Sequence, residues 1–488
     1  MGARSGEAFL KGLRARKREA WLGDERVEDV TEHPALAGAA ATLASVFDRQ
    51  LEFPDDCLMP DPETGEPINV SHLIPHSKED LQRRHRGLVR MAEVTVGLMG
   101  RTPDYMNVTF AGFAGERRAW LGPEGRNEEG VENLAAFQKQ LAREDICLTH
   151  TIVHPTVDRV ADQSFADNPV PLHKVADTEY GIVVRGARIL ATLAPFADEI
   201  AVYPGHPLAP DATPEYALSF SIPIDTPGLT FLCRDSASTP GVDLFDRPLS
   251  PRFDEQDAFV IFDDVEVPRH RVFINGDLDI YNSVMGPTAW WPNIMQQTTI
   301  RALTKLEFAY GLATRMAEAV NDASPGTLEM LGELHSYVEV TRSALLLAEE
   351  HAYDRGEGAW FPDARPLHPM RSLLAVWFPR VNDILITIGS HNLLATPSRA
   401  MLDDAHLRPL IDEFVHGAGD VDAESRAAVF RLAWDFVGSG LGGRNDLYER
   451  NYLASARTSR TLAHLVYADR TRAFALVDAM LAAGRRAG

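Results

Sequence analysis

The chain has 488 residues and a net charge of −22, from 48 Lys and Arg against 70 Asp and Glu. An acidic chain without a basic stripe is a poor partner for a phosphate backbone, so no nucleic acid is expected; no run of about 18 apolar residues predicts a membrane span either. Hydrophobic residues make up 45%, enough for a large core in roughly two to four domains.

The three cysteines, Cys57, Cys147 and Cys233, are far apart and form no C-x-x-C pair. That spacing fits a reducing cytoplasm and offers no metal cage, so no metal is expected. The basic start, "MGARSGEAFLKGLRARKREAWLG", has no continuous apolar core and does not read as a secretory signal.

Residues 1–143 read as an N-terminal helical domain. "DVTEHPALAGAAATLASVFDRQL" has helical spacing with Thr31 as its cap, "KEDLQRRHRGLVRMAEVTVGLMG" ends at Gly100, and "GVENLAAFQKQLARED" gives a third helix. Residues 144–284 carry "ICLTHTIVHP", "YGIVVRGARILATLA", "EIAVYP", "YALSFSIPID", "LTFLCRD" and "DAFVIFDDVEVP". These are short, β-branched runs between turn residues, and they predict a central antiparallel β domain. Residues 285–488 return to long helices with broad apolar faces, which pack as a C-terminal bundle.

Gly438–Gly443, "GSGLGG", matches G-x-G-x-x-G. It follows a run with apolar residues at spacings of three and four, so the glycines are read as closing a helix and not as opening one after a strand. A Rossmann site is therefore not expected there.

Four stretches carry residues suited to chemistry. In "GLMGRTPDYMN", a helix start accounts for Gly100, Thr102, Pro103 and Asp104 but not for Arg101 or Tyr105; an Arg there suits an anion or phenolate. In "CLTHTIVHPTVDR", His150 and His154 lie four apart in a strand-like segment that lacks the H-E-x-x-H glutamate. There a histidine serves as general base, as hydrogen-bond partner, or simply as a packed core group. Thr192, near a strand end, says little alone. "RNDLYERNYLASART" places Arg444, Arg450 and Arg457 on either a phosphate-facing or a solvated surface.

Together these stretches resemble the FAD-dependent hydroxylases typified by the oxygenase component of 4-hydroxyphenylacetate 3-monooxygenase. The resemblance runs through "GEAFLKGLRARKREAWLGDERVEDVTEHPA", "MGRTPDYMN", "THTIVHPTVDR", "EYGIVVRGARILATLAPFADE", "RPLSPRFDEQDAFVIFDDVEVPRHRVF" and "GSGLGGRNDLYERNY". It implies an α+β, acyl-CoA dehydrogenase-like fold, a homotetramer, and FAD bound between domains with help from a neighbouring subunit. The implied function is the oxygenase half of a two-component flavin-dependent monooxygenase. A separate NAD(P)H-flavin reductase supplies reduced FAD (FADH2), and with O2 the oxygenase hydroxylates a para-substituted phenol ortho to its hydroxyl, giving a catechol.

Residue by residue, the resemblance implies that Arg101, Tyr105 and His150 hold the phenol oxygen, with His150 taking or sharing its proton. It implies flavin contacts from His150, Thr151, Ile152, Thr156, Val157, Asp158, Arg159, Thr192, Ser455, Ala456, Arg457 and Thr458. Thr192 matches the residue near flavin N5, where a hydroxyl slows loss of activated oxygen as H2O2. Gly205 and His206 stand where family members place small hydroxyl residues against the substrate's carboxylate, so this chain departs from the pattern at the substrate's far end. The competing readings are a 4-hydroxybutyryl-CoA dehydratase-like enzyme, an acyl-CoA dehydrogenase-like enzyme, and a catalytically silent flavin-binding protein. Cys57 and Cys147 are too far apart in sequence for the dehydratase's neighbouring cluster ligands.

Overall fold

A computed structural model describes residues 2–157, 168–284, 290–467 and 469–486 of the protein. Helices before residue 145 are followed by two β-sheets and then by long helices, an α+β arrangement. Ala37–Glu52 is rich in alanine, the strongest helix former. It buries Ala40, Leu43 and Phe47, at spacings of three and four, against Gly6–Ala15, where Phe47 stacks on Phe9 at 4.6 Å. Its start differs from the sequence reading. The helix opens at Ala37 with no side-chain cap, while the Thr31 hydroxyl accepts from Arg14 Nε and donates to Asp29.

Among the described residues, six strands form one sheet, in the order Glu25–Arg26, Glu19–Leu22, Leu229–Cys233, Asp257–Pro268, Gly181–Thr192 and His173–Asp177. The first two come from the segment read as helices and loops. They are too short to show an alternating pattern. Glu19–Leu22 joins the sheet edge in parallel with Leu229–Cys233. A second sheet has the order Val272–Asn275, Leu218–Pro223, Glu199–Val202 and Leu148–Thr151. Its last pair, Leu148–Thr151 with Glu199–Val202, is also parallel, so the largely antiparallel β region contains two parallel pairings. The sheets pack face to face, with Phe220 edge-on to Phe262 at 6.1 Å, in a core shared with Val184, Ile200, Ile222 and Val260.

One irregularity governs the site. Thr192 pairs with Asp257 and Ala191 with Ala258, but Arg188 pairs with Val260, so Gly181–Thr192 carries an extra residue, with Leu190 at φ 65°. Paired residues share a face and faces alternate along a strand. The bulge therefore turns Arg188 and Thr192 to opposite faces, where an unbroken strand would have aligned them.

The long helices Trp290–Ala319, Pro325–Glu350, Ala364–Gly389 and Ala423–Val437 pack against one another. The segment Ala364–Leu393 is apolar and long enough to cross a bilayer by composition alone, but its Leu374, Phe378, Val381 and Ile384 are buried in the core. Gly438 closes Ala423–Val437, as the sequence predicts. The glycines nevertheless also open a helix, Gly440–Asn451, whose first turn is capped by Ser439 accepting from Gly442 N at 3.2 Å. A helix and not a strand precedes it, so the Rossmann context is still missing.

Candidate active site

Lys78–Val94 ends at Thr95, and the two left-handed positions that follow are Val96, at φ 47°, and Gly97, at φ 71°. Gly100 is thus not the helix terminator the sequence suggests; it lies in a short connection leading to Pro103–Ala114. Both Gly100 N and Arg101 N donate to Glu255 Oε2, at 2.9 and 3.0 Å. This fixes the backbone that presents Arg101. Thr102 occupies the cap position without a side-chain bond to the backbone N–H groups of the helix. Asp104 is buried, accepts from Gln297 Nε2 at 2.9 Å and is pushed up to about 6 by desolvation, so it is more than a surface partner for the helix dipole.

Arg101, Tyr105 and His150 come together as one column. The Arg101 guanidinium lies 3.9 Å from the Tyr105 ring centroid, Tyr105 stacks on His150 at 5.4 Å, and His150 stacks on Tyr203 at 5.4 Å. All four are buried. His150 comes from Leu148–Thr151 and Tyr203 from the residue after Glu199–Val202, so the parallel ladder between these strands sets their spacing. Tyr203 is braced edge-on by Phe113 and Trp290.

Burial opposes the Arg101 charge, but Tyr105, Tyr448 and Glu255 around it raise its pKa above the ordinary value, so it stays a cation. Burial first, and then the Arg101 charge, holds His150 well below the usual histidine range. The ring is therefore neutral at neutral pH. Its Nδ1 is buried without a hydrogen-bond partner, and the buried Tyr203 hydroxyl faces Tyr105 without a well-formed bond. Each such orphan costs about 1–3 kcal/mol until something fills it. The column thus combines a fixed cation with a neutral proton acceptor in a dry setting.

Thr192 ends a strand of the larger sheet and lies against Leu148–Thr151 of the smaller one. Its carbonyl accepts from the Thr149 hydroxyl, and its own hydroxyl donates to Asp257 Oδ1 at 2.7 Å. Asp257 also receives two bonds from Arg444, at 2.8 and 2.9 Å, and one from Arg234. Burial alone would raise this carboxyl, but Arg444 and Arg234 hold it well below the usual carboxylate range. Arg444 also reaches Glu255 Oε1 at 2.6 Å. A continuous path therefore joins Thr192 to the backbone of Arg101 through Asp257, Arg444 and Glu255.

The other expected residues are spread out. Thr151 is buried, with its hydroxyl on the Ile189 carbonyl, and Ile152 is half-buried. Thr156 and Val157 are exposed, and Asp158 and Arg159 lie outside the described residues. Ser455 caps Ala456–Leu462 by accepting from Thr458 N, and Ser455, Arg457 and Thr458 face solvent. Gly205 lies against Ile152, and a Cβ there would meet the Ile152 carbonyl oxygen at 2.5 Å. His206 beside it is exposed, and the charges of Arg371 and Arg188 add to desolvation in lowering its pKa.

Sequence reasoning missed Tyr203, Tyr448, Tyr452, Glu255, Asp257 and the burial of Arg444. Only Arg444, Tyr448 and Tyr452 left a trace, an i, i+4, i+8 spacing along one helix face. The solvated reading of that stretch holds for Arg450, which pairs with Asp446, and fails for Arg444.

The model of the 4-hydroxyphenylacetate 3-hydroxylase N-terminal family matches residues 5–274, and that of the C-terminal family matches residues 282–482. The chain belongs to this family. It is 36% identical over 479 residues to the 4-hydroxyphenylacetate 3-monooxygenase oxygenase component of Thermus thermophilus, covering 97% of each chain. It is 31% identical to the 4-nitrophenol 2-monooxygenase oxygenase component of a Rhodococcus species, covering 92% of this chain and 85% of that one. A crystal structure of the oxygenase component (HpaB) of 4-hydroxyphenylacetate 3-monooxygenase, complexed with FAD and 4-hydroxyphenylacetate, superposes with a TM-score of 0.93. That match has 34% identity and covers 99% of this chain and 100% of the other.

Proposed function

We propose that this chain is the oxygenase component of a two-component, flavin-dependent monooxygenase. It uses reduced FAD and O2 to hydroxylate a para-substituted phenol ortho to its hydroxyl, yielding a catechol, oxidised FAD and water. The observation that carries this reading is the buried column of Arg101, Tyr105, His150 and Tyr203, with the Nδ1 of a neutral His150 unfilled.

The residues fit both ligands. A phenol oxygen placed beside Arg101 and His150 gives its proton to His150, or shares it, while Arg101 offsets the phenolate charge that develops. That charge makes the ortho carbon electron-rich. The Thr192 proton is committed to Asp257, so the hydroxyl lone pairs are left to accept from an N–H such as flavin N5–H. Bound reduced flavin supplies the electrons that activate O2. The aromatic walls around His150 exclude water, which would otherwise divert the oxygen to H2O2.

The competing readings fit less well. Cys57 packs with Val46 and Met91, Cys147 lies in the main core, and Cys233 ends an inner strand of the larger sheet. They do not converge as dehydratase cluster ligands would. An acyl-CoA dehydrogenase needs a carboxylate base, and the carboxylate bonded to Thr192 is Asp257, a poor proton acceptor between two arginines.

The proposal extends to a homotetramer and a separate reductase. Supporting the former, residues 471–483 of the terminal helix Thr471–Arg486 are all exposed, including Phe474, Val477, Met480 and Leu481. A lone 16-residue helix is marginal in water, and an uncovered apolar stripe calls for a second copy. Exposed Ser455, Arg457 and Thr458 are then free to reach a neighbour's flavin.

The test is anaerobic loading with reduced FAD, then rapid mixing with O2 across para-substituted phenols, with absorbance and catechol followed together. Catechol formed from a phenol that also speeds flavin reoxidation supports the reading. H2O2 alone with every phenol rejects it.

A further inference from the structure

Asp257 faces Thr192 because of the bulge. Carried on from the Arg188–Val260 pair, an unbroken register would set Ala191 opposite Asp257; the extra residue sets Thr192 there instead. Paired residues share a face of the sheet, and the Thr192 hydroxyl lies 2.7 Å from Asp257 Oδ1. Both side chains are buried.

Every acceptor position of this carboxylate is taken. Oδ1 receives the Thr192 hydroxyl and, at 2.8 Å, Arg444 Nη2. Oδ2 receives Arg444 Nε and Arg234 Nε, each at 2.9 Å. Four donors match the roughly four lone-pair positions of an ionised carboxyl. The two guanidiniums keep the group ionised, and an ionised carboxyl only accepts. The proton between the two residues therefore belongs to Thr192 and points at Asp257. The backbone of Thr192 is held too. Its carbonyl accepts from the Thr149 hydroxyl, and the next residue, Leu193, donates its N–H to the Glu255 and Gln256 carbonyls. A hydroxyl has one proton to donate. With that proton on Asp257, Thr192 meets any ligand as an acceptor only.

An acceptor-only group distinguishes the two redox states of a flavin. Oxidised flavin presents a lone pair at N5, and reduced flavin presents N5–H. Against Thr192 the reduced form makes a hydrogen bond. The oxidised form sets lone pair against lone pair in a dry setting, where a mismatched polar contact is costly.

We propose that Asp257 is a positioning residue which, by holding the Thr192 proton, makes the site select reduced over oxidised flavin. This rests on the flavin-dependent reading above and names the group that sets the redox preference. Flavin that has given up its electrons loses its bond to Thr192, and the site is freed for the next reduced flavin from the reductase.

In Asp257→Asn the amide oxygen is drawn to the place of Oδ2, where it meets Nε of both arginines. The NH2 group then stands against the Thr192 hydroxyl, at the cost of the bond from Arg444 Nη2. Thr192 accepts from that amide, and its own proton turns to the ligand. The acceptor becomes a donor suited to oxidised N5.

The experiment is anaerobic calorimetry of the full-length protein with reduced and with oxidised FAD, for the parent, Asp257→Asn, Thr192→Val and the double variant. The parent is expected to bind reduced FAD about 10- to 100-fold more tightly, the range for one buried bond made in one state and mismatched in the other. Asp257→Asn brings the ratio to within about threefold of unity, chiefly by tightening oxidised FAD. The midpoint potential of the bound flavin falls with it, by about 30 mV for each tenfold. Thr192→Val lowers the ratio by weakening reduced FAD alone, and adding Asp257→Asn to it changes the ratio no further. Loss of packing alone would weaken both forms together and leave the ratio where it was. Equal affinities in the parent, a parental ratio in folded Asp257→Asn, or an equal shift with Val at 192 overturns the proposal. Should Asp257→Asn fail to fold by circular dichroism, Thr192→Val decides: weaker oxidised FAD would mean that the hydroxyl donates to N5 and is not held by Asp257. Redox preference lost as described, in an enzyme that forms no catechol, leaves this inference standing and removes the hydroxylase reading; catechol from a parent with equal affinities does the reverse.

Discussion

The Arg101 guanidinium donates a 2.6 Å hydrogen bond to the hydroxyl of Tyr448, 347 residues away. Tyr448 stacks on Tyr452 at 4.4 Å, and Tyr452 in turn accepts from Arg301 at 3.0 Å. The cation at the head of the column is thus steered by the C-terminal helices. Tyr448 comes this close because residue 100 has no side chain: a Cβ at Gly100 would stand 1.9 Å from the Tyr448 hydroxyl oxygen.

Gly100→Ala should therefore swing Tyr448 aside and free Arg101 from its acceptor. The expected result is a loss of about 10-fold or more in kcat/KM for the phenol, with a smaller change in reduced-FAD affinity. Tyr448→Phe removes the bond but keeps the ring, and should cost about 1–2 kcal/mol of the same quantity. Parental kinetic constants in Gly100→Ala would show that the Tyr448 contact does not position Arg101.

His150→Ala should lower hydroxylation about 100-fold or more, the scale of general acid–base catalysis, while changing reduced-FAD affinity by less than about tenfold. Its pH profile carries a further signature. Desolvation and Arg101 lower the pKa of His150, so the acid limb of kcat/KM should fall below the ordinary histidine range near 6.5. An acid limb at 6.5 or higher in the parent, or equal turnover by His150→Ala, would remove His150 from proton transfer.

The elements with strong local patterns were legible in the sequence. Gly181–Thr192 and Asp257–Pro268 alternate, and Ala423–Val437 repeats at three and four, so strand and helix follow from period alone. The strand Glu19–Leu22 was not, because four residues carry no period and pairing with Leu229–Cys233 decides their state. In the site, Arg101, Tyr105 and His150 were named through resemblance, and their stacking required the parallel ladder that sets Tyr203 beside His150. Asp257 and Glu255 were hidden because an acidic residue in an acidic chain looks solvated until Arg444 is seen to pair with both.

Acid should destabilise the fold through His72. Both ring nitrogens are buried without a partner, and desolvation lowers the pKa to about 3. Between about 6.5 and about 3, the unfolded chain holds a proton on this residue and the folded chain does not, so stability falls as pH falls across that window. At pH 5 the effect is about 2 kcal/mol, from about 1.4 kcal/mol per pH unit. His72→Leu should flatten the decline in Tm between pH 7 and pH 5 relative to the parent. An identical decline in both would place the acid sensitivity elsewhere.

The C-terminal helix should be held by another copy of the chain. Phe474, Val477 and Leu481 recur at spacings of three and four, Met480 adjoins them, and all are more than half exposed. Large apolar side chains contribute about 1.5–3 kcal/mol each when buried. Replacing two of them by charge, Val477→Asp with Met480→Asp, removes about 3–6 kcal/mol of association by the same scale and adds the cost of burying two carboxylates. Sedimentation velocity should then show the parent as an oligomer and the double variant as a smaller species at the same concentration, with loss of helical signal from this segment. If the flavin is completed by a neighbour's Ser455–Thr458, reduced-FAD affinity falls with the oligomer and recovers as protein concentration is raised. A parent that sediments as a monomer, or a double variant that remains fully assembled, would mean that the stripe is not the contact between copies.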